Sequence, residues 1–168
     1  RDLPLLRRLP THFDLEMAAT IEMQRIALRI RPDMVTLVPE KRQELTTEGG
    51  LDVHSEQRRL LNFIRPLQKA GIDVFLFVEP RLDQIRASAN IGADGIEIHT
   101  GGYANAKSPS IRKRRQGEKI ECVNFARRLG LITNAGHGLD YQNVRSIIRV
   151  PGFTSLNIGY SIVARAIF

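Results

Sequence analysis

The sequence predicts an α/β fold made of parallel βα units, and three observations carry that prediction. Short apolar runs alternate along the chain with amphipathic helical stretches at regular spacing. The clearest run, Val74 to Val78 (VFLFV), is apolar throughout, as expected of a strand whose two sheet faces are both covered. Each run also ends in polar or glycine-containing residues.

Six strands are expected. Phe13 to Glu16 is a brief run leading into MAAT, and Met34 to Val38 (MVTLV) is a buried-type strand ending in Pro39-Glu40. Val74 to Val78 ends in Glu79-Pro80, and Ile96 to His99 (IEIH) ends in Thr100-Gly101-Gly102. Leu131 to Thr133 runs into NAGHG, and Ser155 to Ile158 runs into Gly159-Tyr160.

Helices fill the gaps. Met23, Ile26, Ala27 and Ile30 have the i, i+3, i+4, i+7 spacing of one buried face, and Leu60, Leu61, Ile64 and Leu67 repeat it before a stop at Gly71. Leu82, Ile85 and Ala89 mark a third helix. Ile120, Val123 and Ala126 mark a longer one ending at Gly130, and Val144, Ile147 and Ile148 mark a fifth before Pro151-Gly152. Residues 101–119 are polar and are expected to be mobile at their start. The segment LTTEGGLDVHSE (45–56) reads as a long loop on the side of the sheet where βα folds bind ligands.

At 168 residues the chain fits a single domain, 1–168, with a sizeable core. Its 42% apolar and 26% charged residues are ordinary for a globular protein. No apolar run approaches the roughly 18 residues that span a bilayer, and no signal-peptide pattern opens the chain. Cys122 is the only cysteine, which excludes an internal disulfide and suggests a reducing, cytoplasmic setting. The formal charge of +7 is concentrated in Arg112-Lys113-Arg114-Arg115, with no aromatic residue among them. That pattern reads as a solvated helix face, and no nucleic-acid or membrane partner is expected.

The chemistry sits at the strand ends. The first residues past each run are Glu16, Glu40, Glu79, His99 with Thr100, Asn134 with His137, and Asn157 with Tyr160. In a parallel barrel these point to one rim, the face that carries barrel active sites. Glu16 and His137 suit general acid–base work. NAGHG and NIGYS follow the last two strands, where barrels frequently hold a phosphate on backbone N–H groups. His99 alternates with Ile96 and Ile98 and fits a buried, hydrogen-bonded role as well as a catalytic one. No histidine pair has zinc-ligand spacing, so no metal is expected, and neither glycine motif matches a dinucleotide fingerprint or P-loop.

The segment VPEKRQELTTEGGLDV (38–53) resembles the signature of the pyridoxine 5'-phosphate synthase family of deoxyxylulose-dependent vitamin B6 biosynthesis. The resemblance continues in order through DLEMA (14–18), GADGIEIHTGGYA (92–104), NAGHGLDYQNV (134–144) and LNIGYSIVARAIF (156–168). It implies a (β/α)8 TIM-barrel enzyme, a homo-oligomer acting on phosphorylated small molecules without metal or organic cofactor. The implied reaction is a ring-forming condensation of 1-deoxy-D-xylulose 5-phosphate with 3-amino-2-oxopropyl phosphate. By the resemblance, Glu16 is the carboxylate proton acceptor and His137 the histidine acid–base group. Thr46 and Gly138 contact substrate, and Gly159 belongs to the phosphate-binding turn.

Two features depart from the family pattern. Tyr160 stands where the family has histidine; tyrosine keeps one hydrogen-bond donor but is bulkier and neutral at pH 7. The resemblance also begins at the family's third strand and stops at Phe168, where its final helix should begin. The strands ending in Asn-x-Asp-His and His-x-Arg fall outside it, leaving about six of the eight βα units. The expectation is that these 168 residues alone turn over poorly, and the alternative is a truncated or degenerate barrel that binds phosphate without turnover.

Overall fold

Short runs of three to six residues separated by amphipathic stretches give six parallel strands that pair in chain order. The computed structural model describes residues 2–39 and 49–167. β1 (Asp14–Ala18), β2 (Met34–Val38), β3 (Asp73–Val78), β4 (Gly95–His99), β5 (Ile132–Gly136) and β6 (Ser155–Asn157) form one sheet. Every neighbouring pair is parallel, and the sheet curls into a half-barrel flanked by helices.

The two faces of the sheet differ in chemistry. Register aligns Met17, Leu37, Leu76 and Ile96 in one row, and Leu15, Val35 and Val74 in another. These residues form the core with Leu60, Ile64 and Leu67, Ile85, and Val123 and Ala126 from the covering helices. Burying each such large side chain contributes about 1.5–3 kcal/mol. The alternate residues occupy the concave face, where Phe77, Glu97, Asn134 and Ser155 align, as do His99, Gly136 and Asn157. Period two thus sends the apolar set to the helices and most of the polar set to the inner face.

The first helices agree with the periodicity. α2 (Ile21–Ile30) follows a short α1 (Leu3–Leu6), which the sequence did not indicate. Thr20 caps α2 by accepting from the Met23 N–H at 3.2 Å. α3 (Val53–Lys69) is capped by Asp52 and buries Leu60, Phe63, Ile64 and Leu67, while α4 (Leu82–Asn90) buries Ile85. The N-terminal ends of the strands are tied by aspartates from the next unit. Asp33 accepts the Phe13 N–H and Asp94 accepts the Val74 N–H, each at 2.8 Å.

Four departures from the sequence reading concern the C-terminal half. Residues 101–119 are mostly helical: α5 (Gly101–Ala104) and α6 (Pro109–Arg128), the latter started by Ser108 and Pro109. The buried face of α6 is Lys119, Cys122, Val123 and Ala126, while Ile120 is exposed. β5 continues through Asn134, Ala135 and Gly136, which the sequence alone places in the turn. After α7 (Val144–Ile147) and β6, α8 (Tyr160–Ile167) begins directly at Tyr160, eight residues before Phe168.

Candidate active site

The C-terminal ends of β3, β4 and β5 bring two histidines and a carboxylate together. His99, the last residue of β4, shares a 2.7 Å hydrogen bond between Nδ1 and Oε1 of Glu79, the residue after β3. That bond is the largest influence on Glu79 and holds its carboxyl below the usual range against the opposing effect of burial. An ionised Glu79 accepts the Nδ1 proton and so fixes the ring tautomer. The same Oε1 accepts the Gly50 N–H at 3.1 Å. His99 is 6% exposed, and its Nε2 has no hydrogen-bond partner among the described residues.

His137 lies against this pair. Its ring centroid is 4.8 Å from that of His99, edge to face, and both rings pack on Phe77 at 6.3 and 5.1 Å. The turn that presents it is strained, with His137 at φ +77° and Gly138 at +76°. A left-handed backbone costs a non-glycine residue roughly 1–2 kcal/mol. Neighbouring bonds hold it there. Thr100 shares its hydroxyl proton between the carbonyls of Gly136 and His137, both at 2.6 Å. The Asn143 amide donates to the Gly138 carbonyl at 3.0 Å, and the Tyr103 hydroxyl fixes Asn143 in turn. Gly101 supplies the space, since a Cβ there would lie 2.6 Å from His99 Nε2 and 3.1 Å from His137 Cδ2.

A row of acids lines the concave face. Glu97, 3% exposed, has its pKa pushed up to about 8, first by burial and next by the charge of Glu16. Glu97 therefore carries a proton at pH 7. Its Oε2 accepts the Asn157 side-chain amide at 2.5 Å, and the absent side chain of Gly136 leaves room for its other oxygen. Glu16 is also raised, by burial and then by Asp14. Asp14 is raised by burial, against hydrogen bonding from Thr36, whose single hydroxyl proton is shared between the two carboxylate oxygens at 3.1 and 2.8 Å.

These positions sharpen the sequence reading. Glu16 is in the middle of β1 rather than past its end, but it faces the concave side with Glu97. Asn134 is likewise inside β5 and buried, with Oδ1 unpartnered among the described residues. Gly138 is exposed beside Ala104. Gly159 immediately precedes α8, which Tyr160 starts, and Ser161 donates to the Leu139 carbonyl at 3.0 Å, which seats that turn beside Gly138. Tyr160 itself is 90% exposed and projects into solvent. Glu40 and Thr46 lie outside the described residues.

The sequence reading does not include Glu97 or Lys119. The isoleucines of IEIH mark the outer face of β4, and an acid inside that apolar strand is the signal for Glu97. A cavity of about 420 Å³ is lined by Glu79, His99, His137, Arg115 and Lys119, among others. Among the described residues no cluster of three or more His, Cys, Asp or Glu is placed to hold a metal. None of the described helices is long and apolar enough to cross a membrane.

Known proteins resemble this chain along its whole length. The profile of the family described as "Pyridoxal phosphate biosynthesis protein PdxJ" matches residues 1–168. A pyridoxine 5'-phosphate synthase from Thioalkalivibrio sulfidiphilus is 52% identical over 169 residues, covering 100% of this chain and 69% of the relative. The synthase from Geobacter sulfurreducens is 52% identical, covering 100% and 71%, and that from a Synechocystis strain is 51% identical, covering 99% and 69%. Among solved structures, a GMP reductase variant from Trypanosoma brucei superposes with a TM-score of 0.57 at 18% identity, over 88% of this chain and 31% of that one. A xylose isomerase domain protein from Planctomyces limnophilus gives 0.53 at 12%, over 88% and 62%. At such identities these two share the fold alone. Whole-chain similarity at about half of all positions, with the half-barrel and its row of acid–base groups, places the chain in the pyridoxal phosphate biosynthesis protein PdxJ family.

Proposed function

We propose that the protein is a pyridoxine 5'-phosphate synthase, condensing 1-deoxy-D-xylulose 5-phosphate with 3-amino-2-oxopropyl phosphate. Pyridoxine 5'-phosphate, phosphate and water are the products. The observation that carries this reading is the set of acid–base groups that the fold gathers at the concave face and its strand ends. Burial pushes the Glu97 carboxyl up, the bond to His99 holds that of Glu79 down, and His137 packs on that pair. Imine formation, loss of water and phosphate, and ring closure need both donors and acceptors of protons in one site.

Each group then takes a role. Glu97 holds a proton at neutral pH and delivers it to a departing or developing oxygen. Glu16 accepts protons from substrate carbon, as its resemblance to the family carboxylate suggests, and its raised pKa makes it a better base. His137 moves protons in either direction, while Glu79 orients His99 behind it. Gly138 and Gly159, on adjacent turns, offer backbone N–H groups to a phosphate, and Thr46 contacts substrate. Tyr160 in place of histidine weakens that phosphate contact. The enzyme works as a homo-oligomer in the cytoplasm.

A barrel that binds phosphate without turnover is the less favoured reading, because the acid–base groups are retained and hydrogen-bonded. The test is product formation from both substrates by the purified protein and by its Glu16→Gln and His137→Ala variants. Each substitution should lower turnover about a hundredfold or more, the usual size of an acid–base contribution. Unchanged rates in both folded variants would remove these residues from the mechanism.

A further inference from the structure

The cavity that His99 and His137 share is also lined by Lys107, Arg115 and Lys119, none of which the proposed proton transfers use. Lys119 is the unusual member. It is 1% exposed and occupies the first place of the buried spacing 119, 122, 123, 126, where an apolar residue would pack. Among the described residues no carboxylate lies within ion-pair distance of its amine. The adjacent Glu118 is engaged by Arg115 at 3.1 Å and by Arg114 at 3.8 Å. Burial accordingly draws the Lys119 pKa down, with Glu118 opposing. A largely buried cation with no ion pair among the described residues costs folding free energy, and a bound anion would offset that cost.

Three further observations point to the kind of anion. The cavity lining carries three cations against one carboxylate, Glu79, whose Oε1 already accepts from His99 and Gly50. His99 Nε2, more than nine-tenths buried, is left without a partner among the described residues. Gly101 and Gly102 add no side chain to the lining, and Arg115 Nε would lie 3.8 Å from a Cβ built on Gly102. A volume of about 420 Å³ accommodates a phosphate with a short carbon chain.

The geometry points to a phosphate subsite in this cavity, with Lys119 as its buried cation, Arg115 and Lys107 as further cations, and His99 Nε2, the acceptor nitrogen when Nδ1 donates to Glu79, accepting from a protonated phosphate oxygen. It is distinct from the turn at Gly159. The assignment deepens the proposed synthase activity and rests on it for the ligand, because both substrates and one product carry phosphate. Either a substrate ester or the released inorganic phosphate satisfies the chemistry.

Isothermal titration of the protein with inorganic phosphate and with methyl phosphate, at constant ionic strength, tests it without turnover. Lys119→Met should weaken phosphate binding about tenfold or more, as expected for losing one hydrogen bond to a charged group. Its melting temperature should hold or rise, because methionine removes a largely buried charge. Comparable affinity for methyl phosphate would assign the site to a substrate ester, and binding of inorganic phosphate alone would assign it to the released product; either keeps the subsite. Equal affinity in wild type and Lys119→Met, or no phosphate binding by the wild type, overturns it. If Lys119→Met does not fold, Arg115→Gln, at a half-buried position, decides by the same comparison. Lys119-dependent binding in a protein that makes no pyridoxine 5'-phosphate would retain the subsite and reject the activity. Synthesis with Lys119-independent binding would do the reverse.

Discussion

At the residue scale, His137 combines a chemical role with an unfavourable backbone. Its φ of +77° is one glycine adopts freely, so His137→Gly removes strain while His137→Ala keeps it. Both should lose turnover, but His137→Gly should be the more stable by about 1 kcal/mol in urea unfolding. Equal stabilities would mean that the surrounding hydrogen bonds, not the side chain, set the cost. Gly101 makes the complementary case. Gly101→Ala drives a methyl against His99 Nε2 and His137, and should lower turnover without unfolding the protein. Unchanged kinetics in that variant would show that the two rings need not sit at their observed spacing.

At the element scale, α6 shows both what the sequence makes legible and what it hides. Two helical registers share Val123 and Ala126, and the sequence reading takes the one that includes Ile120. The fold uses the other, with Lys119 and Cys122 inward. Hydrophobic spacing cannot identify a lysine that is buried to serve a cavity, because the benefit lies outside the helix. The same limit hid Glu97, whose alternate neighbours Ile96 and Ile98 pack outward. Strand positions, by contrast, were readable because apolar runs in parallel sheets leave little ambiguity, and β2 has the expected bounds. Polar composition alone suggests mobility at the start of 101–119, where α5 is followed by the Ser108 cap and Pro109 that start a long helix. Gly117, exposed within that helix and with open space around it, is a simple test of its energetics. Gly117→Ala should stabilise the protein by about 0.5–1 kcal/mol, and Ser108→Ala should cost about 1 kcal/mol, both read from thermal or urea unfolding.

At the scale of the whole molecule, the inner face sets a pH dependence of stability. Glu97 is raised in the fold from an ordinary 4.5 to about 8. Between those values the unfolded chain has lost this proton and the folded chain keeps it. Stability from this group is therefore complete below about pH 4.5 and is lost as pH rises toward 8. The slope tends to about 1.4 kcal/mol per pH unit at most, and Asp14 and Glu16, also raised, act in the same direction. Melting temperature should fall between pH 5.5 and 8, and Glu97→Gln should flatten that fall. A variant with the wild-type slope would place the titration elsewhere.

Glu79 has a consequence of another kind. One oxygen serves both the backbone at Gly50 and the ring of His99. The two bonds compete for the same electron density, so a shift of Gly50 away from β3 concentrates negative charge on the His99 proton. Backbone movement at residue 50 is thereby translated into the strength of a hydrogen bond to an imidazole nearly fifty residues along the chain. The Nδ1 proton resonance of His99 would serve as a spectroscopic gauge of how closely that segment is docked.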